Sequence, residues 1–138
     1  MATSQRSPIR RSKRPTPRQS IGRRGEQLAL EALRARGYQI EATNVRYPVG
    51  EIDIVARDGR TLCFVEVRSA SSMEYGGALA SITGRKRQRL IRAARWYLQA
   101  APTAQDIRFD AVAIQWPAEG HPQVEILQHA FVVDSVPW

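Results

Sequence analysis

The stretch Gly50–Ser69, GEIDIVARDGRTLCFVEVRS, constrains this chain more than any other. Asp58-Gly59 between two apolar, partly alternating runs is a strong signal for a two-residue hairpin turn. With those two residues as the loop, Arg57 pairs with Arg60, Val55 with Leu62, Asp53 with Phe64 and Glu51 with Glu66. Side chains alternate across a strand. One face then collects Glu51, Asp53, Val55, Leu62, Phe64, Glu66 and Arg68. The other collects Ile52, Ile54, Ala56, Thr61, Cys63, Val65 and Val67. Asp53 and Glu66 become diagonal neighbours, roughly 7 Å apart at the backbone.

Acids among apolar residues cost free energy unless something pairs with them. Two readings follow. A solvated acidic face is the ordinary one, since most Asp and Glu are exposed. Against it stand Ile52, Ile54, Val65 and Val67 on one face and Leu62 and Phe64 beside the acids on the other. That pattern suits a central strand pair covered on both sides. Asp53 and Glu66 could then share one small hard cation, which would also relieve the repulsion between Glu51 and Glu66 set opposite each other.

At 138 residues the chain suits one domain with a real core. Its net charge of +8 is concentrated at the start. Eight of the 21 Lys and Arg lie within residues 1–24, which hold no acid; the other thirteen bases are matched by thirteen acids. Residues 1–20, rich in Arg, Ser and Pro and poor in apolar residues, are predicted to form a disordered basic arm. Such an arm either holds phosphates electrostatically or serves as a solubility tail. Residues 21–138 form the α/β domain. The sequence shows no signal-peptide core and no apolar run long enough to span a membrane. A single cysteine, Cys63, fits a reducing cytoplasm, and no membrane partner is expected.

Helical spacing of Leu28, Ala29, Ala32 and Leu33 predicts a first helix over Gly22–Arg36, with Gly37 as its stop. Glu26 points with that stripe. It is either an exposed acid favoured by the helix dipole or a group reaching over the sheet toward Asp53 and Glu66. Tyr38–Tyr47 reads as a strand, irregular near Asn44, and Ser69–Thr83 as a long loop. Gly84–Ala100 is a second helix with a stripe of Leu90, Ile91, Ala94, Tyr97 and Leu98. Arg85, Lys86 and Arg87 in its first turn oppose the dipole, a penalty that a docked phosphate would reverse. Arg92, Arg95 and Gln88 continue a polar face, with Trp96 at its edge. That face is either simply solvated or a nucleic-acid contact, with Arg85, Lys86, Arg87 and Arg92 as its phosphate-binding residues. Strands follow at Ile107–Gln115, where Arg108 and Asp110 are placed for a structural ion pair, and at Gln123–Val133. His121 and His129 lack partners at zinc-ligand spacing. Helix, three strands, helix and two strands suggest an α/β fold whose mixed central β-sheet is flanked by helices.

The acid in the second strand, followed by Glu-x-basic in the third, resembles the PD-(D/E)xK nuclease superfamily. GRRGEQLALEAL (Gly22–Leu33), GEIDIVARDG (Gly50–Gly59), FVEVR (Phe64–Arg68), TGRKRQRLIRAARWYL (Thr83–Leu98) and RFDAVAI (Arg108–Ile114) in this order are similar to the YraN-type family of bacterial proteins. That family is predicted to be endonucleases and in turn resembles archaeal Holliday-junction resolvases. The resemblance implies a restriction-endonuclease-like fold and a cytoplasmic, Mg²⁺- or Mn²⁺-dependent enzyme that hydrolyses phosphodiester bonds in DNA, branched or repair intermediates included. It implies Asp53 and Glu66 as metal ligands completed by the Val67 carbonyl, and Glu26 as the residue holding a water at the metal. Arg68 would complete the catalytic set. A resolvase-like role would also call for a homodimer. The superfamily usually has Lys where this chain has Arg68, and Arg does not give up its proton. Lys86 could supply the missing ammonium. The alternative reading is a nucleic-acid-binding protein that keeps the nuclease fold without cutting.

Overall fold

The computed structural model describes residues 17–71 and 77–131. The first 16 residues, and with them most of the expected arm, lie outside it, as do residues 132–133 of the expected last strand. Helix α1 (Pro17–Ala35) begins earlier than the apolar spacing suggests. Proline is well suited to a first helical position, because its missing N–H would be unsatisfied there anyway. The helix stops at Gly37, at φ 95°, where Tyr38 N–H donates to Leu33 O and Gly37 N–H to Arg34 O, both at 3.0 Å. Those paired bonds form a glycine-terminated cap. The cap delivers Tyr38 directly into the core, where it is buried.

Five strands form one sheet in chain order: β1 (Gln39–Tyr47), β2 (Gly50–Asp58), β3 (Thr61–Ala70), β4 (Ile107–Gln115) and β5 (Gln123–Leu127). Only β3 and β4 are parallel, so the sheet is mixed, as expected. Between them lie a one-turn helix α2 (Gly77–Ala80), inside the segment expected to be loop, and α3 (Gly84–Ala100). Thr83 caps α3 by accepting Lys86 N–H at 3.3 Å.

The sheet is covered on both faces. Ala29 and Leu33 of α1 pack with Ile54, Ala56, Cys63, Val65, Val112 and Ile114. Leu90, Ala93 and Ala94 of α3 pack with Val55, Leu62, Phe64, Phe109 and Phe131. Leu62–Val65 is therefore buried without interruption, the pattern of a strand covered on both sides. Phe64 alone, fully buried, contributes about 1.5–3 kcal/mol.

Two expectations about the hairpin are corrected. The loop is Gly59-Arg60, not Asp58-Gly59: Asp58 pairs with Thr61, Arg57 with Leu62, Val55 with Phe64 and Ile54 with Val65. Gly59 at φ 60° occupies the first turn position, which is where a type II′ turn needs glycine. The faces survive, because moving the loop by one residue slides the pairing by two. Ile52 is the second correction. It packs with the α3-side core, whereas Ile54 packs with the α1 side, so the alternation reverses at Asp53. Two irregularities flank that point. Asn44, in β1 opposite this region, has φ 50°, and the residue pairs of β2 and β3 end at Ile54–Val65.

Candidate active site

The site is built where β2 and β3 part. Continued one step past Ile54–Val65, the register would set Asp53 opposite Glu66 rather than diagonal to it. Val67 N–H donates not to a β2 carbonyl but to Asp53 Oδ2, at 2.8 Å. The N–H and C=O of one strand residue point the same way, so the Val67 carbonyl faces the same gap. Leu62 N–H and Ala70 O, on alternate residues, bond on the β4 side instead.

Asp53 and Glu66 are partly buried, and the Asp53 charge lies close enough to act on Glu66. Burial raises the Asp53 carboxyl to about 6; the Val67 N–H works against this, while the charges of Glu51 and Glu26 add to it. Burial raises Glu66 to about 8, helped by Asp53 and opposed by Arg68 and Lys86. Two like charges in a half-dry site cannot both ionise cheaply, so they titrate as a pair. Arg68 offers limited compensation, since its Nη1 stands 4.0 Å from Glu66 Oε1.

Each helix adds a group. From α1, Glu26 accepts a hydrogen bond from Asn44 Nδ2 at 2.6 Å and lies close enough to raise Asp53. From α3, Lys86 lines a cleft of about 240 Å³ with Glu51, Glu66, Arg68, Arg89 and Leu90. Lys86 Nζ donates to Ser81 O at 3.2 Å, and Arg68 Nε donates to Ser81 Oγ at 2.9 Å. Burial lowers the Lys86 pKa, and the Arg68 charge lowers it further against the pull of Glu66.

Asp53, Glu66, Val67, Arg68 and Lys86 thus converge, with Glu26 near enough for its charge to act on Asp53 but not gathered with the two acids. Arg85 and Arg92 lie exposed along α3. Arg87 turns away and sits over the Phe131 ring, 5.6 Å from its centroid. Three contributors were missed in the sequence. Ser81 sat in an apparent loop. Arg89 was overlooked although it follows Lys86 by three residues, a helix-face spacing. Asn44 was noticed only as an irregularity; its partner lies 18 residues away. Among the described residues, no three His, Cys, Asp or Glu side chains come together as a ready-made metal cluster. Cys63 is fully buried, and burial pushes its thiol up to about 12, a setting that disfavours the reactive thiolate.

The model of the uncharacterised protein family UPF0102 matches residues 25–114, which span every part of this site. The chain belongs to the UPF0102 family. It is similar to a UPF0102 protein of Chlorobium limicola, 48% identical over 117 residues that cover 84% of this chain and 91% of the relative. A UPF0102 protein of Desulfosudis oleivorans is 44% identical over 83% of this chain and 91% of its own length. One from Alkalilimnicola ehrlichii is 44% identical over 88% and 94%. The family, also known as the YraN-type family, is the one that the sequence motifs resemble. No helix among the described residues is long and apolar enough to cross a membrane.

Proposed function

We propose that this UPF0102 protein is a divalent-metal-dependent endonuclease that hydrolyses phosphodiester bonds in DNA, branched or repair intermediates included. The observation that carries this reading is the Asp53–Glu66 pair, two half-buried carboxyls held together with raised pKa values. A divalent cation would offset their repulsion. Two carboxylates with a backbone carbonyl beside them suit Mg²⁺ or Mn²⁺, because Mg²⁺ binds through one or two carboxylates and keeps waters and phosphate oxygens for the rest. Asp53, Glu66 and the Val67 carbonyl would hold it. When bound, the ion would acidify the attacking water and neutralise phosphate charge.

The remaining chemistry falls to the chain. Glu26, fixed by Asn44, is the acceptor for hydrogen bonds from the attacking water. Arg68, oriented by Ser81, holds a phosphate oxygen through charge-assisted hydrogen bonds. It stays protonated and takes no proton. Lys86 is the candidate for the ammonium role, since its lowered pKa eases loss of a proton. Calorimetry with Mn²⁺ is expected to show binding that Asp53→Ala abolishes. Cleavage of linear, flapped and four-way DNA, with RNA alongside, then identifies the substrate. Absence of Mn²⁺ binding would sink the proposal.

Arg68 favours a second reading, a DNA-binding protein that keeps the fold without cutting. Arg68→Lys separates the two. A large gain in rate would mean that arginine limits the chemistry. Unchanged, measurable cleavage would mean that the proton is handled elsewhere, with Lys86→Met then expected to lower the rate.

A further inference from the structure

Outside the acid cleft, α3 carries a narrow stripe. Arg85, Arg89, Arg92 and Trp96 follow one another at spacings of four, three and four residues, which places them on one helix face. All four are exposed. Trp96, 42% exposed, is the one large apolar side chain exposed among the described residues. Arg89 already lines the cleft with Glu66 and Lys86. Trp96 stands two turns further on, about 10 Å away at 1.5 Å per residue.

This end of the stripe is buttressed. The Trp96 ring meets Tyr47 with centroids 5.5 Å apart and planes tilted by 49°. Tyr47 pairs with Gly50, the residue before cleft-lining Glu51. A Cβ on Gly50 would strike the Arg89 carbonyl, so β2 and α3 touch backbone to backbone at this point. Arg46 lies 3.5 Å from the Glu51 carboxylate, which partly offsets an acid that shares the cleft with Arg89. Guanidinium groups leading from a carboxylate site to a braced, exposed indole combine the two elements of single-strand recognition: cations for phosphates and an aromatic face for a base. A duplex keeps its base faces stacked inside and offers none to Trp96.

We infer that this stripe is a track for an unpaired DNA strand leaving the cleft, with phosphates on Arg89 and Arg92 and a base stacked on Trp96. The inference rests on the nuclease reading for the position of the bond that is cut. It narrows the substrate class to DNA with a single-stranded segment beside that bond.

The test is fluorescence anisotropy of the full-length protein in EDTA, with a blunt duplex and the same duplex carrying an oligothymidine tail. The tail is expected to tighten binding. Trp96→Ala should erase that gain, about tenfold for one stacked base, and Trp96→Phe should keep most of it. Arg92→Gln should flatten the salt dependence on tailed DNA by about 0.7 in the log–log slope. A tail that adds nothing, or equal losses on tailed and blunt DNA in Trp96→Ala, overturns the inference. Should Trp96→Ala fail to fold, an unchanged slope in Arg92→Gln overturns it instead. The assay needs no metal, so a track without Mn²⁺ binding would mean that only the nuclease reading failed. Metal-dependent cleavage with no preference for the tail would remove only the track.

Discussion

Two groups of acids sit on neighbouring central strands, and their surroundings differ sharply. Asp110 of β4, opposite Val65 of β3, is fully buried, yet it accepts four hydrogen bonds. These come from Arg108 Nε at 2.7 Å, Arg108 Nη2 at 2.9 Å, the Tyr38 hydroxyl at 2.9 Å and His129 N–H at 3.1 Å. Arg108 also donates to Asp58 at 2.8 Å, beside the hairpin turn, and Gln128 donates to both Asp58 and Tyr38. This is the expected structural ion pair, enlarged into a network. Asp53 and Glu66 are less buried but worse served. The pair is served by a single backbone N–H on Asp53 and a cation 4.0 Å from Glu66. A fold that satisfies one buried carboxylate so fully and leaves two others to repel each other has different uses for them. The first ties β2, β4, the turn after β5 and the end of α1 together. In the proposed reading, the second keeps electrostatic free energy available for a divalent cation.

Variants can break that comparison, and the largest effect belongs to the satisfied acid. Asp110→Ala removes the acceptor of four hydrogen bonds and leaves Arg108, whose side chain is only 10% exposed, with Asp58 as its remaining carboxylate partner; it is expected to cost about 3–5 kcal/mol in denaturant unfolding. A loss below about 1 kcal/mol would mean that the network is ornamental. The next effect is the pH dependence of the site itself. Asp53 and Glu66 are raised from 3.8 and 4.5 to about 6 and about 8, so the folded state binds more protons than the unfolded one between those values. Their contribution is complete below about pH 4 and is lost as pH rises through 8. In EDTA, thermal unfolding should shift downward over that window, by a few kcal/mol at most, and Mn²⁺ should suppress the shift. A stability that is flat with pH and indifferent to Mn²⁺ would place this pair in the same class as Asp110.

Asp53→Asn sharpens the contrast through its sign. The amide oxygen can still accept Val67 N–H, while the charge is gone. The metal-free protein at pH 8 is therefore expected to gain about 1–2 kcal/mol of stability as it loses Mn²⁺ binding. Destabilisation with metal binding intact would reverse the assignment. The smallest effect is that of Tyr38→Phe, which removes one donor from Asp110 and should cost about 1 kcal/mol without changing Mn²⁺ affinity.

Much of this was legible locally. Gly84–Ala100 and Ile107–Gln115 have the ends that the apolar spacing and Pro102 indicate, and Gly37 ends α1. Helix stripes and caps depend on residues within one or two turns of each other, so a linear reading captures them. The hairpin turn was misplaced by one residue because Asp58-Gly59 and Gly59-Arg60 both satisfy short-range turn chemistry. The choice falls to cross-strand packing, and the Asp58 carboxylate is occupied by Arg108, 50 residues away.

The alternation of acids and apolar residues along Gly50–Arg68 was enough to establish a buried hairpin with Asp53 and Glu66 on one side, because side-chain direction in a strand is a local property. The convergence on that pair was not legible. Glu26 and Asn44 meet across 18 residues, and Arg68 and Ser81 across thirteen. The reversal of facing at Asp53 and the parting of β2 from β3 appear only in the cross-strand register and in the packing of Ile52 and Ile54 against opposite helices. Whether a carboxylate is satisfied or left repelling its neighbour depends on groups brought to it through space, and only the folded chain brings them.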